Sequence, residues 1–226
     1  MKILDIKENK NRPIWASIYA ILFLLLFILV KINSPIVHDI DNFIRSLVFP
    51  FTSQGLTIVA NFLTNIGAPI PSLIYSCLIL AFIFFKREYV TAIWGFSTLV
   101  IGNGLAVVFK HLAQRPRPAL ADRLAPAHGY SFPSGHTFAT MMFVLLFIYL
   151  IIPRIKVQFV RTALKFIAIA WVVIITLTRI YLRVHFPTDT IGSLLLAGAV
   201  WDFALMIWLR FFQSKITDPH TNGKHF

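Results

Sequence analysis

The chain carries little charge for its length. Of its 226 residues only 13% are charged, whereas 58% are hydrophobic, and the mean hydropathy is +0.76. A soluble domain of this size is about one quarter charged, so the polar groups here are too few to cover a surface that faces water. This shortage excludes an ordinary soluble domain and indicates that lipid surrounds most of the chain.

Cysteine is almost absent as well. The single cysteine, Cys77, excludes an intrachain disulfide and a cysteine metal cluster. A typical signal peptide is also missing, because the first apolar run, Ile14 to Val30, is too long for a signal-peptide core and has no clear cleavage site. We therefore expect this run to be retained as a membrane span.

Six apolar runs are suited to crossing a bilayer, since a spanning helix needs about 20 mainly apolar residues. They lie near Pro13–Ile32, Pro69–Phe85, Val90–Phe109, His136–Ile152, Ala163–Leu182 and Pro187–Leu209. Between the first two, the apolar stretch Leu56–Ile66 is too short to cross and is typical of a helix lying in the interface. The sequence predicts an all-α bundle of six transmembrane helices, with residues 1–226 forming one membrane domain and 213–226 a polar tail.

The net charge of +12 comes from 21 basic and 9 acidic residues. The basic residues are scattered between apolar runs, which favours membrane topology over nucleic-acid binding. Six spans place both termini on one side, and 13 of the 21 basic residues fall there, so we expect that side to be cytoplasmic. The other eight are Lys31, Arg45, Lys110, Arg115, Arg117, Arg123, Arg179 and Arg183.

Six of those eight outer cations lie in just two places, the loop after the third span and the end of the fifth. Basic residues are normally fewer on the outer side of a membrane protein, so a cluster of them there indicates a bound anion. The loop contributes Lys110 and Arg117, and the fifth span contributes Arg179. Arg holds a phosphate through a bidentate fork and Lys through a point charge, although span-end cations alone are also explained by snorkelling.

A histidine and an aspartate stand where the sixth span begins. Asp189 follows His185 by four residues, and Pro187 between them suits the first turn of a helix. A carboxylate within reach of one imidazole nitrogen fixes the tautomer and leaves the other nitrogen free to attack. We predict that His185 lies just before the helix and that the positive end of the helix favours an anion there.

A second polar segment, Pro133-Ser134-Gly135-His136, precedes the fourth span. Ser134 suits an N-cap, and Gly135 lets backbone amides approach a ligand closely. His136 then stands where a general acid can protonate a departing alkoxide. Each segment alone has a structural explanation as a turn or cap, but all of them fall on one predicted face.

These segments resemble the signature of the type 2 phosphatidic acid phosphatase family. That signature is Lys, six residues, Arg-Pro; then Pro-Ser-Gly-His; then Ser-Arg, five residues, His, three residues, Asp. The residues that match it here are Lys110, Arg117, Pro118, Pro133, Ser134, Gly135, His136, Arg179, His185 and Asp189. Thr178 stands where the family has Ser, and it keeps the hydroxyl.

The resemblance implies a role for each matching residue. His185 would attack phosphorus and form a phosphohistidine, Asp189 would orient it, and His136 would protonate the leaving group and then help water to release the phosphate. The phosphate oxygens would be held by Lys110, Arg117, Arg179, Ser134 and the Gly135 amide. The resemblance implies no metal and no other cofactor, and the sequence shows no carboxylate cluster to bind one.

The expected function is metal-independent hydrolysis of a lipid phosphate monoester or diphosphate. By resemblance, the substrate is phosphatidylglycerophosphate, phosphatidic acid or undecaprenyl diphosphate, and the partners are this lipid and the bilayer. Two alternatives stay open: a lipid phosphotransferase with the same site, and an anion-binding transporter. The predicted location is the cell membrane, with multiple spans, both termini cytoplasmic and the active site on the extracytoplasmic side.

Overall fold

Residues 11–213 are described by the computed structural model, and this range contains helices and no β-strand. The main helices are α1 (Arg12–Lys31), α2 (Pro35–Val48), α3 (Gln54–Ile66), α4 (Pro69–Phe85), α5 (Tyr89–Ala113), α6 (Gly135–Leu146), α7 (Gln158–Tyr181) and α8 (Pro187–Trp208). Shorter 3-10 or π-helical segments are Phe49–Phe51, Leu120–Asp122, Phe147–Ile151, Ile152–Arg154 and Leu209–Gln213. The all-α prediction is confirmed, and the predicted tail lies outside the described residues except for Gln213.

Six helices correspond to the six predicted spans. Five of them are long and apolar enough to cross a bilayer: α1, α5, α6 with its continuation to Arg154, α7, and α8 with its continuation to Phe211. The sixth, α4, is equally apolar in character but has 17 residues. The helices α5 and α7 extend about one turn beyond their predicted limits, because their terminal turns carry basic residues that end an apolar run but not a helix. The chain is a multi-pass membrane protein.

The segment between α1 and α4 folds into two helices that turn by 118° relative to each other at Phe49–Phe51. The helix expected over Leu56–Ile66 is present as α3, where the Ser53 hydroxyl caps the first turn by accepting the Leu56 amide at 3.3 Å. The preceding helix α2 was not expected. It packs against α7 and α8, and α3 packs against α7, so both lie beside the helices that carry the predicted site.

Helix α8 occupies the centre of the bundle, in contact with α1, α2, α5 and α6. Small residues permit this packing: a Cβ at Gly198 would lie 3.1 Å from the ring of Tyr19 in α1. Aromatic side chains fill the other side, where the Trp94 indole donates to the Ala204 carbonyl at 2.9 Å and its ring lies 5.5 Å from that of Trp201. Helix α8 is therefore fixed by contacts with most of the bundle.

Three chain reversals meet at the N-terminal end of α8. Helix α5 ends at Ala113, where Gln114 takes a left-handed conformation with φ 52° and Pro116 follows. The loop then returns to the start of α6, where the Ser134 amide donates to the Asp189 carbonyl at 3.2 Å. Because α7 ends only a few residues before α8 begins, all the predicted motif segments converge at this end.

Candidate active site

His185 and Asp189 form a buried pair at the start of α8. The Nδ1 atom of His185 lies 3.3 Å from Oδ2 of Asp189, and the two residues are 2% and 0% exposed. His185 precedes the helix, whereas Asp189 is in its first turn and accepts the Phe186 amide at 2.8 Å through the same Oδ2. The pair thus forms a hook, in which His185 precedes the helix, as the sequence predicted, and Asp189 lies in the first helical turn.

The opposite imidazole nitrogen faces a cation. Nη1 of Arg117 lies 3.1 Å from Nε2 of His185. Since a guanidinium only donates, Nε2 accepts this hydrogen bond, and the proton is on Nδ1, which donates to Asp189. Burial lowers the pKa of His185 to about 4, against the opposing effect of Asp189. The imidazole is therefore neutral at neutral pH, with its Nε2 lone pair directed at the cationic side of the site.

Arg117 is held by the backbone around it. Its Nη1 also donates to the Val184 carbonyl at 2.8 Å, and its Nε donates to the His128 and Gly129 carbonyls, each at 3.1 Å. These neutral acceptors fix the guanidinium without cancelling its charge. The cation remains available to an anion beside His185.

Lys110 and Arg179 add two more cations to this region. Lys110, in the last turn of α5, donates through Nζ to the Pro133 carbonyl at 2.6 Å and the Tyr130 carbonyl at 3.2 Å. Arg179 is 4% exposed and donates through Nη1 to the Thr64 hydroxyl of α3 at 2.7 Å. Its Nε is buried and has no hydrogen-bond partner within residues 11–213. Both side chains keep donors for a ligand.

The start of α6 faces the same region. The first hydrogen bond of this helix runs from the Phe138 amide to the Ser134 carbonyl at 3.0 Å, so the amides of Gly135 and His136 precede the helical ladder. The His136 side chain lies within electrostatic range of Lys110, Arg117, Arg179 and His185. With the contacts above, the structure brings all eight predicted site residues together.

The hydroxyl groups of Ser134 and Thr178 are bonded close to their own helices. Ser134 occupies the N-cap position of α6, but its hydroxyl makes no cap hydrogen bond and lies 3.2 Å from the donating hydroxyl of Thr137. The Thr178 hydroxyl donates to the Ile175 carbonyl of its own helix at 2.7 Å. The Ser-to-Thr difference at this position therefore falls on a group that is already satisfied within α7.

Asp189 has two further partners that the sequence did not assign to the site. Nη1 of Arg115 donates to Oδ1 of Asp189 at 2.7 Å, and the buried Ser131 hydroxyl donates to Oδ2. Arg115 lies between Lys110 and Arg117, and Ser131 lies shortly before Pro133. Closeness in sequence to the residues that match the family signature was therefore the only signal. Every oxygen of the carboxylate is thereby occupied by a donor.

The site is suited to an anion. Arg117 lies 3.1 Å from the neutral Nε2 of His185, and Lys110, Arg179 and His136 lie in the same region. The amides at the start of α6 stand outside the helical ladder, as donors at anion-binding helix termini do. Within the described part of the chain, no group of three or more His, Cys, Asp or Glu side chains is placed to hold a metal ion. A nucleophile, an orienting carboxylate and anion-binding donors are what this arrangement supplies.

Comparison with known proteins agrees with this chemistry. The family model of the PAP2 superfamily matches residues 91–213, which is more than half of the chain. This chain belongs to the PAP2 superfamily. It is a membrane-embedded phosphatase, a hydrolase of phosphoric esters.

Individual relatives share both sequence and fold with it. The chain is 28% identical over 176 residues to phosphatidylglycerophosphatase B of Bacillus subtilis (strain 168), covering 76% of this chain and 85% of the relative. The crystal structure of a transmembrane PAP2 type phosphatidylglycerolphosphate phosphatase from Bacillus subtilis superposes with a TM-score of 0.76 at 23% identity, over 87% of this chain and 96% of that one. Aquifex aeolicus LpxE superposes with a TM-score of 0.56 at 21% identity, over 72% and 93%. These structures share the fold of the chain described here.

Proposed function

We propose that the protein removes phosphate from a membrane lipid through a phosphohistidine formed on His185. The observation that carries this proposal is the placement of Nε2, which is unprotonated, lies 3.1 Å from Arg117 and belongs to a ring whose other nitrogen is bound to Asp189. A structural His–Asp pair has no need of a cluster of cations around its free nitrogen. A nucleophile that attacks a phosphate does.

In the first step, the lone pair on Nε2 of His185 attacks phosphorus. The N–P bond forms as the bond from phosphorus to the leaving oxygen breaks, and that oxygen takes a proton from His136, which enters the step as an imidazolium because the bound phosphate anion favours its charged form. The Nδ1 proton stays on the ring, where Asp189 stabilises the positive charge that develops. Lys110, Arg117 and Arg179 stabilise the charge on the phosphoryl oxygens in the transition state.

In the second step, a water molecule attacks the same phosphorus atom. His136, now neutral, accepts the proton of this water, and the N–P bond breaks as the new O–P bond forms. Inorganic phosphate leaves, and His185 regains its free Nε2 lone pair. Both steps use the same cations and require no co-reactant other than water.

The substrate is proposed to be a lipid phosphate, because the site lies at the ends of apolar helices, where a lipid headgroup lies. Relatives named for phosphatidylglycerophosphate support this choice. Phosphatidic acid and undecaprenyl diphosphate offer the same terminal phosphoryl group on a lipid. We propose phosphatidylglycerophosphate as the first substrate to test and the other two as its competitors.

The site is proposed to open on the extracytoplasmic face. Its support is the uneven distribution of basic residues, 13 of 21 on the side of the termini. Six of the eight cations on the other side lie in two places that flank His185, the segment from Lys110 to Arg123 and the end of α7. A bound phosphate accounts for their position there.

Phosphohistidine trapping tests the mechanism. The purified protein is mixed with lipid labelled in its terminal phosphate and quenched in alkali, which preserves a phosphohistidine. We expect label on the wild-type chain, none on His185→Ala, and loss of turnover in that variant. Substitution of the exposed His38 by Ala is the control and should leave both labelling and turnover unchanged. Full turnover by His185→Ala would reject the proposed nucleophile.

Isotopically labelled water separates hydrolysis from the alternatives. Hydrolysis in ¹⁸O water gives inorganic phosphate with one labelled oxygen, since water attacks the phosphohistidine. A phosphotransferase would place the phosphoryl group on another acceptor, and a transporter would release no phosphate. The assay is run with a chelator, and activity that depends on an added metal would contradict the proposed mechanism.

A further inference from the structure

A buried chain of charges extends from Asp189 to helix α2. Nη1 of Arg115 lies 2.7 Å from Oδ1 of Asp189, and Nη2 of the same guanidinium lies 2.5 Å from Oδ2 of Asp41. The three side chains are at most 8% exposed. Asp41 belongs to a helix that precedes the part of the chain matched by the PAP2 model, residues 91–213.

Asp41 also holds the first turn of α8. Its Oδ1 accepts the Thr188 amide at 2.8 Å, and its Oδ2 accepts the Thr188 hydroxyl at 3.0 Å. The Thr188 hydroxyl in turn accepts from Nη1 of Arg115 at 2.7 Å. Asp41 therefore fixes both the guanidinium that contacts Asp189 and the residue immediately before Asp189.

We propose that Asp41 and Arg115 are positioning residues, which hold Asp189 and through it the imidazole of His185 in the reactive orientation. This inference rests on the proposed function, because it assigns the pair a role in the same reaction. Within residues 11–213, neither residue forms a hydrogen bond or an ion pair with His185 or with the cations of the phosphate site.

The geometry of Asp189 explains why such a support is needed. Its Oδ2 is used by His185, Ser131 and the Phe186 amide, whereas its Oδ1 is bound by Arg115. If Arg115 is removed, the buried Oδ1 atom of Asp189 loses this donor. The Asp189 carboxylate can then rotate away from Nδ1 of His185. The face of Phe186 lies 4.2 Å from the Arg115 guanidinium and restricts its movement.

Stability alone is a poor explanation for this cluster. Taking an arginine and two carboxylates out of water costs about as much free energy as their attraction returns, and apolar replacements of such groups are often neutral or stabilising. The same charged groups are useful where a carboxylate beside a nucleophile must be held in one rotamer.

Substitution of Asp41 by Asn is the main test, because it keeps the shape and removes the charge. We expect kcat to fall by roughly 10- to 100-fold as the His–Asp geometry loosens, with KM for the lipid phosphate nearly unchanged, because the phosphate-binding cations are untouched. Asp39→Asn is the matched control: it removes the same charge from the exposed side of the same helix and should behave as wild type.

The pH profile of kcat/KM gives a readout that a purely structural role does not move. His185 is faced by Asp189, Arg117, Arg179 and His136, and these groups are present in every variant. Arg115→Gln removes a positive charge and should move the acid limb to higher pH. Burial raises the pKa of Asp41 above its ordinary 3.8, so Asp41 is largely protonated where His185 titrates, and Asp41→Asn should leave the acid limb nearly in place. Ionisation of the substrate is common to all variants and cancels in the comparison.

Arg115→Lys separates geometry from charge. It keeps the positive charge but cannot bridge two carboxylates, so kcat should fall while the acid limb stays in place. If Arg115→Gln fails to fold, as judged by size-exclusion chromatography and thermal unfolding in detergent, Asp41→Asn and Arg115→Lys complete the test. Wild-type kcat in both folded variants would overturn the inference, and so would an equal loss of kcat in Asp41→Asn and the control Asp39→Asn, or an unmoved acid limb in a folded Arg115→Gln.

The two proposals fail in distinguishable ways. If His185→Ala retains turnover, the proposed nucleophile is wrong, whatever Asp41 does. If His185→Ala is inactive while Asp41→Asn and Arg115→Lys have normal kcat, the nucleophile stands and only the positioning role is rejected.

Discussion

The Nε2 atom of His185 accepts a hydrogen bond from Nη1 of Arg117 over 3.1 Å. This contact joins the proposed nucleophile to the cation that would hold its phosphate. It fixes the tautomer of the ring together with Asp189 on the other side. The protein's own side chains thus orient the ring, and fixed groups of this kind are what electrostatic stabilisation of a transition state requires.

The first prediction concerns the pH dependence of turnover. Burial lowers the pKa of His185 from its ordinary 6.5 to about 4, and only the neutral ring attacks. We therefore expect the acid limb of kcat/KM, which reports the free enzyme, to lie near pH 4 instead of near 6.5. A limb that coincides with the ordinary histidine pKa, in a profile corrected for substrate ionisation, would contradict the burial argument.

The same pKa shift has a consequence for folding. Between the two pKa values the unfolded chain binds a proton at His185 that the folded protein does not. The stabilising contribution of the neutral ring is therefore complete above pH 6.5 and is lost as the pH falls through about 4. Thermal unfolding in detergent should show a steeper loss of stability on acidification for the wild type than for His185→Gln.

A second prediction concerns Arg117. Lys at this position keeps the charge but cannot donate at once to Val184, His128, Gly129 and His185, as the guanidinium does. We expect Arg117→Lys to lower kcat/KM by about 100-fold, equivalent to about 2.7 kcal/mol of transition-state stabilisation. Arg123→Lys is the control from the same loop, since Arg123 donates to the Pro118 and Ala127 carbonyls and, within residues 11–213, does not contact His185. Equal losses in both variants would indicate a general loop effect.

Local sequence patterns predicted much of this site. The His185–Asp189 spacing and the proline between them are short-range features, so the hook at the start of α8 follows from turn and helix chemistry. The six spans follow from hydropathy. Helix α2 was missed because its apolar residues alternate with charged ones and form no long run. The contact of Asp41 with Arg115 joins distant parts of the chain, and a single sequence carries no signal for it.

A third prediction concerns Gly192 in α8. A Cβ there would lie 2.5 Å from the ring of Phe132, which is fully buried between Ser131 and Pro133. Gly192→Ala must push this ring and its backbone, and with them the Ser131 hydroxyl that contacts Asp189. We expect a loss of about 1–3 kcal/mol in stability together with reduced kcat.

Gly104 provides the matched control for that substitution. It lies in α5 with nothing within 4 Å of an added Cβ, so Gly104→Ala should leave kcat unchanged and stabilise the helix by up to about 1 kcal/mol. Thermal unfolding and turnover of both variants in the same detergent make the comparison. Normal kcat in Gly192→Ala would show that the Phe132 segment can move without disturbing Asp189.

The last prediction tests the proposed orientation by cysteine labelling of intact cells. Cys77 is exposed on α4, so it is first replaced by Ser. Asp122→Cys then places a thiol on the exposed turn Leu120–Asp122 on the side of the active site, and Lys156→Cys places one between α6 and α7 on the opposite side. The excess of basic residues on the second side predicts that an impermeant maleimide labels only Asp122→Cys in intact cells. Lys156→Cys should react only after the membrane is opened, and the reverse pattern would place the active site on the cytoplasmic face.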